Sequence, residues 1–147
     1  MVMKRALALT LVGTALAVLG TAANAEGLEA LMHKNIGCEC CDGHAAALNA
    51  AGFKVNIVPT DQLASVKVKA GVPAAIEGCH TTLIAGYVVE GHDPAAAVKR
   101  LLATKPAVKG ITFPGMPPGS PGMLGPQLEP FKVLSFGADR TRTFGLE

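Results

Sequence analysis

From Leu28 onward the chain is cut into short apolar runs by glycines and prolines. Leu28-Glu29-Ala30-Leu31-Met32-His33 predicts a first strand. Asp42 to Ala51 (DGHAAALNAA) is an alanine-rich helical run ended by Gly52, a residue suited to the position just past a helix. Phe53 to Val58 alternates apolar and polar positions, which predicts a second strand closed by Pro59. Thr60 or Asp61 can cap a second helix over Gln62–Ala70, stopped by Gly71. After the loop GVPAAIEGCH, the runs Thr81–Ala85 and Tyr87–Glu90 flank Gly86 as an antiparallel hairpin. Asp93-Pro94 then predicts a third helix, with Asp93 as N-cap and Pro94 as first residue, ending before Pro106.

The resulting order, β-α-β-α-β-β-α, predicts an α/β protein with thioredoxin-like connectivity. A ferredoxin-like domain would place its hairpin directly after the first helix, where this chain has a second helix. The stretch Phe113 to Met123 (FPGMPPGSPGM) is too rich in proline and glycine for a helix or a central strand. It reads as a C-terminal loop extension, followed by an edge strand over Phe131–Phe136. No internal repeat is visible.

The first residues have another character. Lys4 and Arg5 precede an apolar run, Ala6 to Ala22, and the small-x-small site Ala23-Asn24-Ala25 follows. This predicts a signal peptide over residues 1–25, a short membrane anchor being the alternative. The mature chain, residues 26–147, is then a single periplasmic domain with no membrane span. Loss of Lys4 and Arg5 takes the formal charge of +2 to zero. No basic run with interleaved aromatics remains, so nucleic-acid binding has no support. Nor does any serine triad, phosphate loop or paired carboxylate point to hydrolysis or nucleotide chemistry.

The candidate chemistry lies in Gly37-Cys38-Glu39-Cys40-Cys41, which holds three of the four cysteines. An exported chain with four cysteines would by default form two disulfides, but three this close cannot staple distant segments. Cys40 and Cys41 cannot readily pair with each other, since consecutive Cα atoms lie about 3.8 Å apart and disulfides need roughly 4.4–6.8 Å. Thiols between a strand and a helix N-terminus lose protons readily and suit disulfide exchange or soft metals. The third thiol favours metal: Cys-x-Cys and Cys-x-x-Cys overlap, and clustered thiolates bind Cu(I), zinc or iron–sulfur and can bridge several Cu(I) ions. A thiol-disulfide oxidoreductase using Cys38 and Cys41, or a disulfide-stapled interaction module, are the other readings.

Cys79-His80, just before the third strand, could set a thiolate and an imidazole against this loop. A buried free cysteine, or a disulfide to Cys38, is the alternative. Met116 and Met123 are soft thioethers on a loop stiff enough to form a lid, or else cover for apolar surface. His44, one turn past Cys41, and His33, near the end of strand one, could reach the site. Both read first as exposed or hydrogen-bonded histidines, and His92 as part of the turn before Asp93.

Cys-x-Cys-Cys after strand one, AAGF before strand two, GCHT before strand three, GYVVEGHDP across the hairpin and FPGMPPGSPGM afterwards resemble one family. It is the CopG-type family of small periplasmic copper-resistance proteins, classed under a domain of unknown function. The resemblance spans Leu28 to Phe136, with Glu39 standing where the family commonly has glycine. That carboxylate would favour cations while opposing thiolate formation. The resemblance implies a thioredoxin-like fold with a multinuclear copper centre, a role in copper resistance, and interconversion of Cu(I) and Cu(II) as a copper oxidoreductase. Its partners would be copper ions and other periplasmic copper-handling or electron-transfer proteins. Cys38, Cys40 and Cys41 match the cysteine motif, and Cys79 and His80 match its Cys-His pair.

Overall fold

The computed structural model describes residues 27–137 and 140–147; the predicted signal peptide, residues 1–25, lies outside the described residues. The elements run β1 (Glu29–Asn35), α1 (Glu39–Ala50), β2 (Lys54–Thr60), α2 (Leu63–Ala70), a 3-10 turn at Ala74–Ile76, β3 (His80–Ile84), β4 (Tyr87–Gly91) and α3 (Ala95–Thr104). This is the order that the sequence predicts. Three further strands follow: β5 (Gly110–Phe113), β6 (Lys132–Gly137) and β7 (Arg140–Leu146). All join one seven-stranded sheet in the order β2-β1-β3-β4-β5-β6-β7. The β1–β2 and β4–β5 pairs are parallel and the remainder antiparallel. Among the described residues no helix is long and apolar enough to cross a membrane.

Several boundaries differ from expectation for identifiable reasons. Pro59 does not close β2 but lies within it, opposite Lys34. Because β2 is an outer strand, a residue with no N–H is tolerated there. Helix α1 begins at Glu39, so Cys40 and Cys41 occupy its first turn and Cys38 its N-cap. Asp93 does not cap α3: Pro94 holds the N-cap position, and the Asp93 carboxyl is fully buried with no hydrogen-bond partner. The last apolar run is not an edge strand, because β7 pairs along its far side.

Strand β5 was hidden by its four-residue length, and β7 (RTRTFGL) by its polarity and exposure. The β3–β4 hairpin turns at Ala85-Gly86, both at positive φ (49° and 84°), the two-residue geometry that matches strand twist.

The sheet carries helices on both faces. Ala45 and Leu48 of α1 pack with Ala97, Val98 and Leu101 of α3 over Ala30, Met32, Ile84, Val89, Ile111 and Val133. On the other face Ala70, Val72 and Ile76 meet Val88 and Phe136. The neighbours Val88 and Val89 fall in opposite clusters, as the strand pleat requires.

Topology gathers four loops at one end of this sheet. Lys34 near the end of β1 pairs with His80 at the start of antiparallel β3. Thr81 pairs in turn with Glu90 near the end of β4, and Gly91 with Phe113 at the end of parallel β5. The cysteine loop, the Cys79 loop, His92 and the proline-rich loop therefore all leave from the same edge.

Candidate metal centre

The four cysteines converge there. Their sulfurs all lie within 4.8 Å of one another. Cys38 and Cys41 are joined as a disulfide, with Cα atoms 5.5 Å apart. Cys40 and Cys79 are free. The Cys40 thiol stands 3.5 Å from Cys38 Sγ, and the Cys79 thiol 3.4 Å from Cys41 Sγ. The alternative pairing of Cys79 with Cys38 is thereby overturned. A second donor group overlaps the first: Cys41, Cys79, His80 and His92, again within 4.8 Å.

The hydrogen bonds determine which imidazole nitrogens are bare. His44 Nε2 lies 2.9 Å from the Asp93 carbonyl, which can only accept, so this nitrogen carries hydrogen. Burial lowers the His44 pKa to about 4, so the ring is neutral and its Nδ1 is an acceptor. His80 Nε2, 2.7 Å away, must donate to it. His80 is neutral too, its pKa driven down to about 2 by burial first and then by the charges of His44, His92 and Lys67.

Its Nδ1 lone pair therefore faces Cys79 Sγ at 3.2 Å. Separately, His92 donates from Nδ1 to the Pro121 carbonyl at 2.6 Å, which leaves Nε2 bare and 3.0 Å from the same sulfur. Burial also lowers the His92 pKa. Burial, followed by the effect of Cys40, pushes the Cys79 thiol up to about 12. One S–H cannot satisfy two lone pairs. A cation between the sulfur and both nitrogens would.

The surroundings hold these donors in place. Buried Glu90 accepts from the Gly78 N–H at 2.7 Å and the Thr81 hydroxyl at 2.7 Å, and pairs with the buried Lys67 ammonium. It thus anchors the chain on both sides of Cys79-His80. Lys34, itself buried, donates to the Cys38 carbonyl at 3.0 Å and pairs with Asp42 at 2.6 Å, fixing the entry into α1. The proline-rich loop closes over that first turn. A Cβ on Gly122, which has φ +87°, would sit 2.5 Å from His44 N and 2.6 Å from Cys40 O.

Cys38, Cys40, Cys41 and Cys79 are thus brought together, and His80 joins Cys41 and Cys79 in the overlapping group. Met123 follows Gly122 and is half-buried, whereas Met116 is exposed. His92, read as a turn residue, is instead a member of the donor group. The antiparallel hairpin was the available signal, because it returns the end of β4 to the start of β3. His44 lies behind His80, and His33 lines a cavity with Val66, Lys69 and Tyr87, apart from the cysteine donors.

Comparison with known proteins adds a lineage to this geometry. A family model described as a protein of unknown function, DUF411, matches residues 76–123, which include Cys79, His80, His92 and both loop methionines. No curated protein matches the chain. Two solved structures do. "Copper resistance protein copG- Form 2" is 34% identical, with TM-score 0.76 over 83% of this chain and 99% of its own. "Copper resistance protein copG- Form 1" is likewise 34% identical, with TM-score 0.75 over 83% of this chain and 98% of its own.

Proposed function

Because this chain belongs to the CopG family of copper resistance proteins, we propose that it handles copper in the periplasm, binding the ion where its cysteine and histidine donors converge. The observation that carries the reading is the pair of bare nitrogens, His80 Nδ1 and His92 Nε2, aimed at the single sulfur of Cys79. The set is soft: in the reduced protein it offers four thiols and two imidazoles. Thiolates select Cu(I), and imidazole suits copper in either oxidation state.

Four sulfurs within 4.8 Å exceed what one Cu(I) ion needs, so we assign more than one ion, bridged by thiolates. Met116 and Met123 are proposed as thioether donors from the loop. A mixed sulfur–nitrogen set also supports interconversion of Cu(I) and Cu(II), with the electron partner another periplasmic protein.

The Cys38–Cys41 disulfide favours a second reading, thiol-disulfide exchange, and it makes copper capacity depend on redox state. As a disulfide the pair supplies no thiolate ligand. Copper per chain, measured by elemental analysis on reduced and on oxidised protein, separates the readings. More than one ion in the reduced protein and fewer in the oxidised is the expected result. A reduced protein that takes up no copper but exchanges disulfides with external dithiols would replace the first reading by the second.

A further inference from the structure

His44 is fully buried, belongs to neither donor group, and spends both ring nitrogens inside the protein. Packing alone does not call for it. A phenylalanine or leucine would fill a buried helix position without the cost of desolvating an imidazole. What an imidazole does, and a hydrocarbon cannot, is accept on one side and donate on the other. The Asp93 carbonyl accepts from Nε2 at 2.9 Å, which leaves Nδ1 as an acceptor for His80 at 2.7 Å. The three rings pack as a triangle, His44 to His80 at 4.8 Å, His44 to His92 at 5.2 Å and His80 to His92 at 4.9 Å between centroids.

From this geometry we infer that His44 is a positioning residue which holds His80 as the Nε2–H tautomer, so that the bare Nδ1 always faces the sulfur of Cys79. Without it, His80 loses the acceptor that its Nε2 hydrogen meets at 2.7 Å in a buried site. Its proton would then move to Nδ1, where it bonds to Cys79 and blocks the nitrogen. The arrangement also links the second turn of α1 to the entry of α3, since Asp93 precedes that helix. His92 needs no such relay, because the Pro121 carbonyl meets its Nδ1–H directly at 2.6 Å.

This inference rests on the copper reading for its purpose, and its test has two separable readouts. The first is the histidine tautomer in the reduced, metal-free protein, read from long-range nitrogen–proton NMR correlations of the rings. His80 should carry hydrogen on Nε2 only. The second is competition for Cu(I) against a chromophoric chelator. His44→Phe should lose the single tautomer and weaken Cu(I) binding about 10–100-fold, the usual effect of removing a hydrogen-bond partner behind a ligand.

His44→Gln can both accept and donate, so it should keep the tautomer and most of the affinity. Hydrogen on His80 Nδ1 in the wild type, or a His44→Phe protein unchanged in tautomer and affinity, overturns the relay. If His44→Phe does not fold, the wild-type tautomer and the Gln variant still decide. A wild type that ignores Cu(I) sinks the copper reading, while the NMR measurement judges the relay independently.

Discussion

His92 Nε2 points at Cys79 Sγ across 3.0 Å, and nothing in the local sequence of either residue requires them to meet. The two sit on different strand ends, joined only because β3 and β4 form a tight hairpin. Cys79 therefore has an imidazole on each side and a disulfide sulfur 3.4 Å away.

Removing either member of the pair should reduce copper binding in a distinguishable way. Cys79→Ser deletes the sulfur that both histidines face, and should lower the number of ions per chain along with the thiolate-to-copper absorption. His92→Ala deletes one nitrogen and should weaken Cu(I) binding about tenfold or more, by analogy with losses seen around other metal ligands. Elemental analysis and chelator competition check both. Unchanged stoichiometry and spectrum in Cys79→Ser would exclude that residue from the centre.

The Lys67–Glu90 pair should matter to the fold as much as to the site. Both side chains are buried, and Glu90 also receives the Gly78 N–H. Lys67→Met would strand a buried carboxylate, at a cost of about 3–5 kcal/mol in urea unfolding. Replacing both partners with apolar residues, Lys67→Met with Glu90→Leu, should recover most of that loss. A double variant no more stable than the single one would contradict the account.

Gly122→Ala tests the lid. The added Cβ would meet His44 N and Cys40 O at 2.5 and 2.6 Å, and φ +87° strains any other residue. We expect a lowered melting temperature and faster copper loss to a chelator. An unaltered release rate would show that the loop does not control access.

Acid should destabilise the metal-free protein. His44 and His80 have folded pKa values of about 4 and 2, below the ordinary 6.5, so as pH falls below 6.5 the unfolded chain binds protons that the folded one refuses. Asp93 opposes this. Burial raises its pKa well above 3.8, so the folded chain keeps a proton that the unfolded chain has lost. Three histidines held below their ordinary pKa, His92 included, against one raised carboxyl leave a net loss of stability as pH falls below 6.5. Urea midpoints at pH 7 and pH 5 measure it. Asp93→Asn removes the opposing group and should steepen the fall, whereas a midpoint that rises on acidification would reverse the sign.

Much of this was legible in the chain itself. Period-two and helical patterns between Leu28 and Ala103, broken by Gly52, Gly71 and Gly86, were strong enough to order the first seven elements, because local backbone preference and one-sided burial act together there. The cysteine cluster was equally plain, since three thiols in four positions have few structural uses. Strands β5 and β7 were not legible. The first is a four-residue segment in which Gly110 serves the close approach of Val88, where a Cβ would lie 2.0 Å from the carbonyl oxygen. The second is polar and exposed at the sheet margin, so its pairing, not its own pattern, makes it a strand.

The sequence by itself determined the kind of donors, soft sulfur and imidazole, and the loop before the first helix that carries three of the cysteines. Only the tertiary structure decided which donors share a site. Antiparallel pairing of β1, β3 and β4 brings His80, His92 and the cysteine loop to one end of the sheet, and buried carbonyls of Asp93 and Pro121 fix where the ring hydrogens sit. Neither is a local property, because a tautomer depends on the acceptor it meets and that acceptor arrives from another part of the fold.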